Sequence, residues 1–203
     1  MRSLSEIDTT SKRASRAAGF SWGIAEEVGK SVRLLELFGL PGIKTLNQYY
    51  NQKNKDKFEN LNLIKENNLS QKYPYCPIII GVNFLDQIRN IEKFKKITFK
   101  KISFPLLILP FLSKSSEVIG KKIQVKFNDF NFLLNFNVSI SMNLIDQPFP
   151  KICKKIEIKI IENKDNFSEK EWKNLYRLSE ETFVEETDSL KQGAAGAGLT
   201  DND

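Results

Sequence analysis

The sequence predicts an α+β fold: N-terminal helices, a mixed or mainly antiparallel sheet with a β-hairpin, then a closing C-terminal helix and a Gly-rich tail. Three observations carry this. Ala25, Val28, Val32 and Leu35 fall on one face at helical spacing, with Glu26, Lys30 and Arg33 opposite. Ile123, Val125 and Phe127, then Phe130, Phe132, Leu134, Phe136, Val138 and Ile140, form two alternating runs joined at Asn128-Asp129, residues that tolerate a tight hairpin turn. Ser168 and Glu171 have the spacing of a capping box, ahead of a helix carrying Trp172, Leu175, Tyr176 and Phe183.

Taken in order, residues 3–38 read as helix, stopped by Gly39, and Pro41 reopens a short helix through Ile43, Leu46 and Tyr49/Tyr50. Residues 51–70 read as an exposed polar connector rich in Lys and Asn. The β-branched run 77–81 reads as a short strand, followed by a helix bearing Phe84, Leu85, Ile88, Ile91 and Phe94, with Asn83 placed to cap it. Ile97/Phe99 and Ile102/Phe104 alternate as a strand, and Pro105 starts an apolar, partly helical stretch toward Ile119. Ile156, Ile158 and Ile160 supply a further strand. A chain of 203 residues with no long internal repeat is expected to form a single domain over 1–203, with a Gly/Ala-rich tail at 187–203.

Composition then narrows the chemistry. With no histidine, zinc hydrolases and His-dependent triads are excluded, because the commonest metal ligand and the usual neutral-pH acid/base are both missing. Cys76 and Cys153 have no CxxC spacing and read as buried thiols, in keeping with a cytoplasmic protein. The richest apolar run, 104–112, is too short to span a bilayer and is interrupted by Pro105 and Pro110, so no membrane partner is expected. The net charge of +6 is unevenly spread, with lysines dominating 91–126 and acids dominating 162–203.

The two ends hold the candidate chemistry. In 12–27, small residues alternate with Lys12, Arg13 and Arg16, with Phe20 and Trp22, and with Glu26 and Glu27. Arg13 and Arg16 lie near one another on a helical turn, where their paired planar donors suit a carboxylate or phosphate. The plainer alternative is a tightly packed helix with solvated arginines. Glu26 and Lys30 form an i,i+4 pair worth only about 0.3 to 0.5 kcal/mol if exposed; buried beside Glu27, one carboxylate would be raised toward general-base range. At the other end Gly193, Gly196 and Gly198 precede Thr200, Asp201 and Asn202, oxygen-bearing residues able to orient a substrate or bind a hard cation if the tail folds back, although a tail of this kind is usually disordered.

These ends, with 3–7, Leu40-Pro41-Gly42, Cys76-Pro77, 104–107 and 110–112, resemble an uncharacterised bacterial family, best known from marine proteobacteria, that is described only as a domain of unknown function. The resemblance is most specific in the Lys12-Arg13-Ala14 to Lys30 segment and in the ending 196–203. It implies no activity, cofactor or catalytic residue.

Two functions from different classes remain open. One is a small-molecule enzyme or ligand-binding protein acting on an anionic, carboxylated metabolite, with Glu26, Glu27 and Asp201 as acid/base groups and Lys12, Arg13, Arg16, Trp22, Thr200 and Asn202 as binding groups; no cofactor or metal ligand is assigned. The other is an accessory or assembly subunit whose tail docks into a protein partner or a second copy of the chain. The basic stretch Lys95, Lys96, Phe99, Lys100, Lys101, Phe104 raises nucleic acid as a third partner. Strand alternation, turning the aromatics inward and the lysines outward, weighs against it.

Overall fold

The computed structural model describes residues 2–53, 57–143 and 147–183, which divide into two compact units, Met1–Asn163 and Lys164–Asp203. The expected α+β class is found. The first unit opens with α1 (Leu4–Ala17), α2 (Trp22–Leu37) and α3 (Gly42–Lys53). The helix expected over 3–38 is two helices. Gly19 takes φ +95°, and Ser21 caps α2 by accepting from the Ile24 N–H, so the chain turns between them. A capping box at Ser3 and Glu6 starts α1.

The short strand β1 (Asn67–Leu69) follows, and then α4 (Pro77–Ile91). Here the expected strand at 77–81 is overturned. Pro77 stands in the first turn, where its fixed φ and missing N–H cost nothing, and burial of Ile78 and Ile80 outweighs the weak helix propensity of β-branched residues. Asn83 lies inside the helix rather than at its cap, and its side-chain amide donates to the Leu61 carbonyl. Gly81 is required by close approach, since a Cβ there would sit 2.6 Å from Cγ of the buried Phe111.

Next come β2 (Lys96–Ser103), a 3₁₀ turn (Pro105–Ile108), α5 (Leu109–Ile119), the hairpin β3 (Lys122–Phe127) and β4 (Phe130–Asn135), β5 (Ser139–Met142) and β6 (Ile152–Ile161). The hairpin turns at Asn128-Asp129 as expected, with Asn128 left-handed at φ 48°. The second run, expected to continue through Phe136 and Val138 to Ile140, instead breaks at a turn over 136–138 where Val138 is left-handed. Ile140 therefore belongs to β5, which folds back on β4. The sheet order among the described residues is β1-β2-β6-β3-β4-β5, parallel only between β1 and β2. The last strand in sequence therefore lies between β2 and β3.

One face of this sheet is apolar: Ile97, Phe99, Ile123, Val125, Phe132, Leu134, Ile156 and Ile158 are buried, with α5 packed against β3 and β4 and α4 packed against α5. The alternation is interrupted where Lys100-Lys101 faces Lys154-Lys155. Lys101 adopts φ 60°, and its carbonyl accepts from the Tyr75 N–H. Beyond that point Ile102 and Cys153 join the core.

In the second unit, α6 (Glu169–Glu180) starts at the expected Ser168/Glu171 capping box, and none of its residues is buried. No helix among the described residues is long and apolar enough to cross a membrane.

Candidate functional site

The polar residues of α1 and α2 form an ion-pair network. Glu26 binds Lys30 at 3.0 Å and Lys12 at 3.4 Å; Glu27 binds Lys30 at 3.1 Å and Lys114 of α5 at 3.1 Å. Glu26 is exposed, and its hydrogen bonds to Lys30 and Lys12 hold its carboxyl below the usual range, the opposite of the shift that burial would give a general base. Arg13 is exposed and has no ion pair among the described residues. Arg16 donates to the Phe20 carbonyl at 3.0 Å, and its guanidinium lies 5.6 Å from the centroid of the exposed Trp22 ring. Thr200, Asp201 and Asn202, with the rest of the tail, lie outside the described residues.

Arg16 and Trp22 thus brace the turn 19–21, and that turn lines a cleft of about 540 Å³. Opposite it stand Tyr49 and Lys53 from α3, the segment with Lys57, Phe58 and Asn60, and Cys76 and Ile79 at the start of α4. Lys53 donates to the Ala18 carbonyl at 2.6 Å, with its ammonium 4.9 Å from the Phe20 centroid, so it ties the end of α3 to the end of α1. Tyr49 is fully buried, stacks on Phe58 at 5.3 Å and meets Phe104 edge-on at 5.9 Å. Tyr50 donates to Ser15 Oγ at 2.6 Å, and burial pushes its phenol up to about 12.

At the inner end of the cleft the Tyr49 hydroxyl lies 3.0 Å from Cys76 Sγ. Cys76 is the N-cap of α4, its N–H bound to the Glu59 carbonyl at 2.9 Å. Burial pushes this thiol up, and Tyr49, the Ile79 and Ile78 N–H groups and the Lys53 charge pull the other way without reversing the shift. Cys76 therefore rests as a thiol. The segment behind it is fixed by the Glu59 carboxylate, which accepts from the backbone N–H groups of Gln71, Lys72 and Tyr73 and is held below the usual range by them.

The cleft carries Lys53 and Lys57 and no carboxylate among its lining residues, and the capping residues of α2 and α4 both face it. It is suited to an anion. No cluster of three metal-ligating side chains occurs among the described residues. Sequence reasoning missed Tyr49, Lys53 and Cys76 as a group. The available signal was Pro77, which at a first helical position would have put Cys76 at a helix start.

Residues 2–75 match the family described as Protein of unknown function (DUF3726). The DUF3726 segment supplies α1, α2, α3 and β1, just over a third of the chain, and every residue lining the cleft except Cys76 and Ile79. The ending 196–203 lies beyond the match. Neither the curated proteins nor the solved structures gave a match.

Proposed function

We propose that the chain binds a small anionic metabolite, a carboxylate, in the cleft between the α1–α2 turn and the start of α4. The observation that carries this reading is the lining: two lysines, two helix starts and no carboxylate around one cavity of about 540 Å³. Lys57 and Lys53 would neutralise the ligand, the positive ends of α2 and α4 would add to the field, and Tyr49 and Cys76 would close the inner end as hydroxyl and thiol. Of the groups expected from the sequence, Arg16 and Trp22 act here by bracing the turn. Lys12, Glu26 and Glu27 belong to the ion-pair network outside the lining.

The test is thermal unfolding of the full chain against a panel of small carboxylates. A ligand present at a hundred times its Kd stabilises by about 2.7 kcal/mol, or about 5 to 10 °C in Tm for a protein of this size. Lys57→Gln, at an exposed position, is expected to reduce that shift and leave the ligand-free Tm unchanged. Absence of any stabilising carboxylate, or an undiminished shift in both Lys57→Gln and Lys53→Gln, refutes the reading.

A second reading, an accessory subunit that docks on a partner protein, is favoured by α6. Trp172, Leu175 and Tyr176 occupy one helical face and are 53%, 66% and 51% exposed, with Phe167 stacked on Trp172 at 5.7 Å. Loss of an oligomer or of a co-purifying protein on deletion of 164–203 supports it; an unchanged monomer before and after deletion refutes it.

A further inference from the structure

We infer that the open face of the sheet is a binding surface for duplex nucleic acid, held through its phosphates. The strand registers place Lys96 and Lys100 of β2, Lys155 and Lys159 of β6, and Lys122 and Lys126 of β3 on the face opposite the apolar core. Lys96 pairs with Lys159 and Lys100 with Lys155 across neighbouring strands. At about 3.3 Å per residue and 4.8 Å between strands, with Lys100 opposite Lys155 and Lys122 opposite Ile161, the six lysines spread over a patch of about 20 by 10 Å. Glu157 is the one carboxylate that the registers of β2, β6 and β3 put among them, bound by Lys155 at 2.5 Å and Lys96 at 3.0 Å.

Next to this patch the sheet edge is concave. A groove of about 790 Å³ is bordered by Asn67 of β1, Thr98, Lys96 and Lys100 of β2, Lys155, and the approach to β2 with Lys93 and Lys95, with Glu66 the one carboxylate of its lining. Lys93, Lys95 and Lys100 have no carboxylate partner among the described residues, so their charge is available to a ligand.

Three features select the occupant. The face has no aromatic side chain, because Phe99 and Phe104 are both buried, so bases have nothing to stack on and a single strand gains little. Protein interfaces are poor in lysine and rich in aromatic anchors, whereas here lysine is the dominant residue and the exposed apolar side chains are Leu69, Leu133 and Ile161. A planar bilayer would rest on the rim of the groove, while a ridge of phosphates enters it and meets Lys93, Lys95 and Lys100. Residues 95–104 alone show only strand alternation; lysines from β3 and β6 complete the patch.

The experiment is a titration of the full chain with short labelled DNA and RNA duplexes, the corresponding single strands, and vesicles containing phosphatidylserine, at several salt concentrations. With about five net phosphate contacts, log K is expected to fall against log salt with a slope of about −4.5, roughly 500-fold in affinity between about 50 and 200 mM. The triple variant Lys96→Gln, Lys100→Gln, Lys155→Gln is expected to flatten that slope by about 2.7. Glu157→Gln should bind tighter than the wild type, a gain that a merely misfolded protein cannot mimic. The inference is overturned by no duplex binding at about 50 mM salt, by a slope the triple variant leaves unchanged, by preference for single strands, or by binding to vesicles and not to duplexes.

Discussion

Replacing Gly81 by alanine separates packing from backbone propensity. In a helix interior the change alone favours folding by about 1 kcal/mol. At this position the new methyl would stand 2.6 Å from Cγ and 2.9 Å from Cε2 of Phe111, where ordinary carbon contacts need about 3.5 to 4.0 Å. Phe111 is 2% exposed and packed between α4 and the sheet layer, so the ring has nowhere to retreat. Overpacking of this severity costs about 3 kcal/mol, leaving a net loss of about 2 kcal/mol and a Tm lower by about 4 to 8 °C. Gly23→Ala in α2 is the matched control: nothing lies within 4 Å of its added Cβ, and a small gain in Tm is expected. Calorimetry of both variants, and of Gly81→Ala combined with Phe111→Leu, makes the comparison. If Gly81→Ala is as stable as the wild type, or if Phe111→Leu recovers none of the loss, the close approach of α4 and α5 does not constrain this residue.

Two further predictions concern titrating groups. Hydrogen bonds from Lys155 and Lys96 hold the Glu157 carboxyl down to about 2, against 4.5 when free. Because the folded value is the lower one, the stabilisation is complete above pH 4.5 and is lost as pH falls toward 2. The stability gap between wild type and Glu157→Gln, below about 1 kcal/mol for so exposed a cluster, should close over that interval in acid titrations followed by circular dichroism; a gap that widens on acidification contradicts the assignment. The raised thiol of Cys76 predicts slow labelling by a disulfide reagent at neutral pH in a Cys153→Ala background, slower still in Tyr49→Phe, which loses a hydrogen bond favouring the thiolate. Labelling as fast in the folded as in the denatured protein would show that Cys76 is not enclosed.

Where local chemistry and tertiary packing agree, the sequence was readable. The Asn128-Asp129 hairpin, the Ser168/Glu171 capping box and the alternation of β3, β4 and β6 each rest on one short pattern, and each is found. The run 77–81 failed because three consecutive isoleucines carry the same apolar signal in a buried helix as in a buried strand, and only Pro77 distinguishes them. The cleft was hidden for a related reason. Tyr49 and Cys76 are 27 positions apart, and nothing in either neighbourhood announces that α3 and the start of α4 will meet. The lysines of the open face were legible strand by strand, but their sum depends on β6 lying beside both β2 and β3, a matter of topology that no local pattern encodes.

That position of β6 also dictates when the fold can be finished during synthesis. With β6 seated between β2 and β3, the hairpin and the β1–β2 pair have no shared edge until residue 161 is made, and both inner edges stay open meanwhile. A nascent chain halted before residue 152 would expose two hydrophobic half-sheets, each a template for another copy of the same chain. Synthesis of β6, rather than of any early helix, becomes the step that commits this sheet to its native partner, and premature stops upstream of β6 should be far more prone to aggregate than stops just after it.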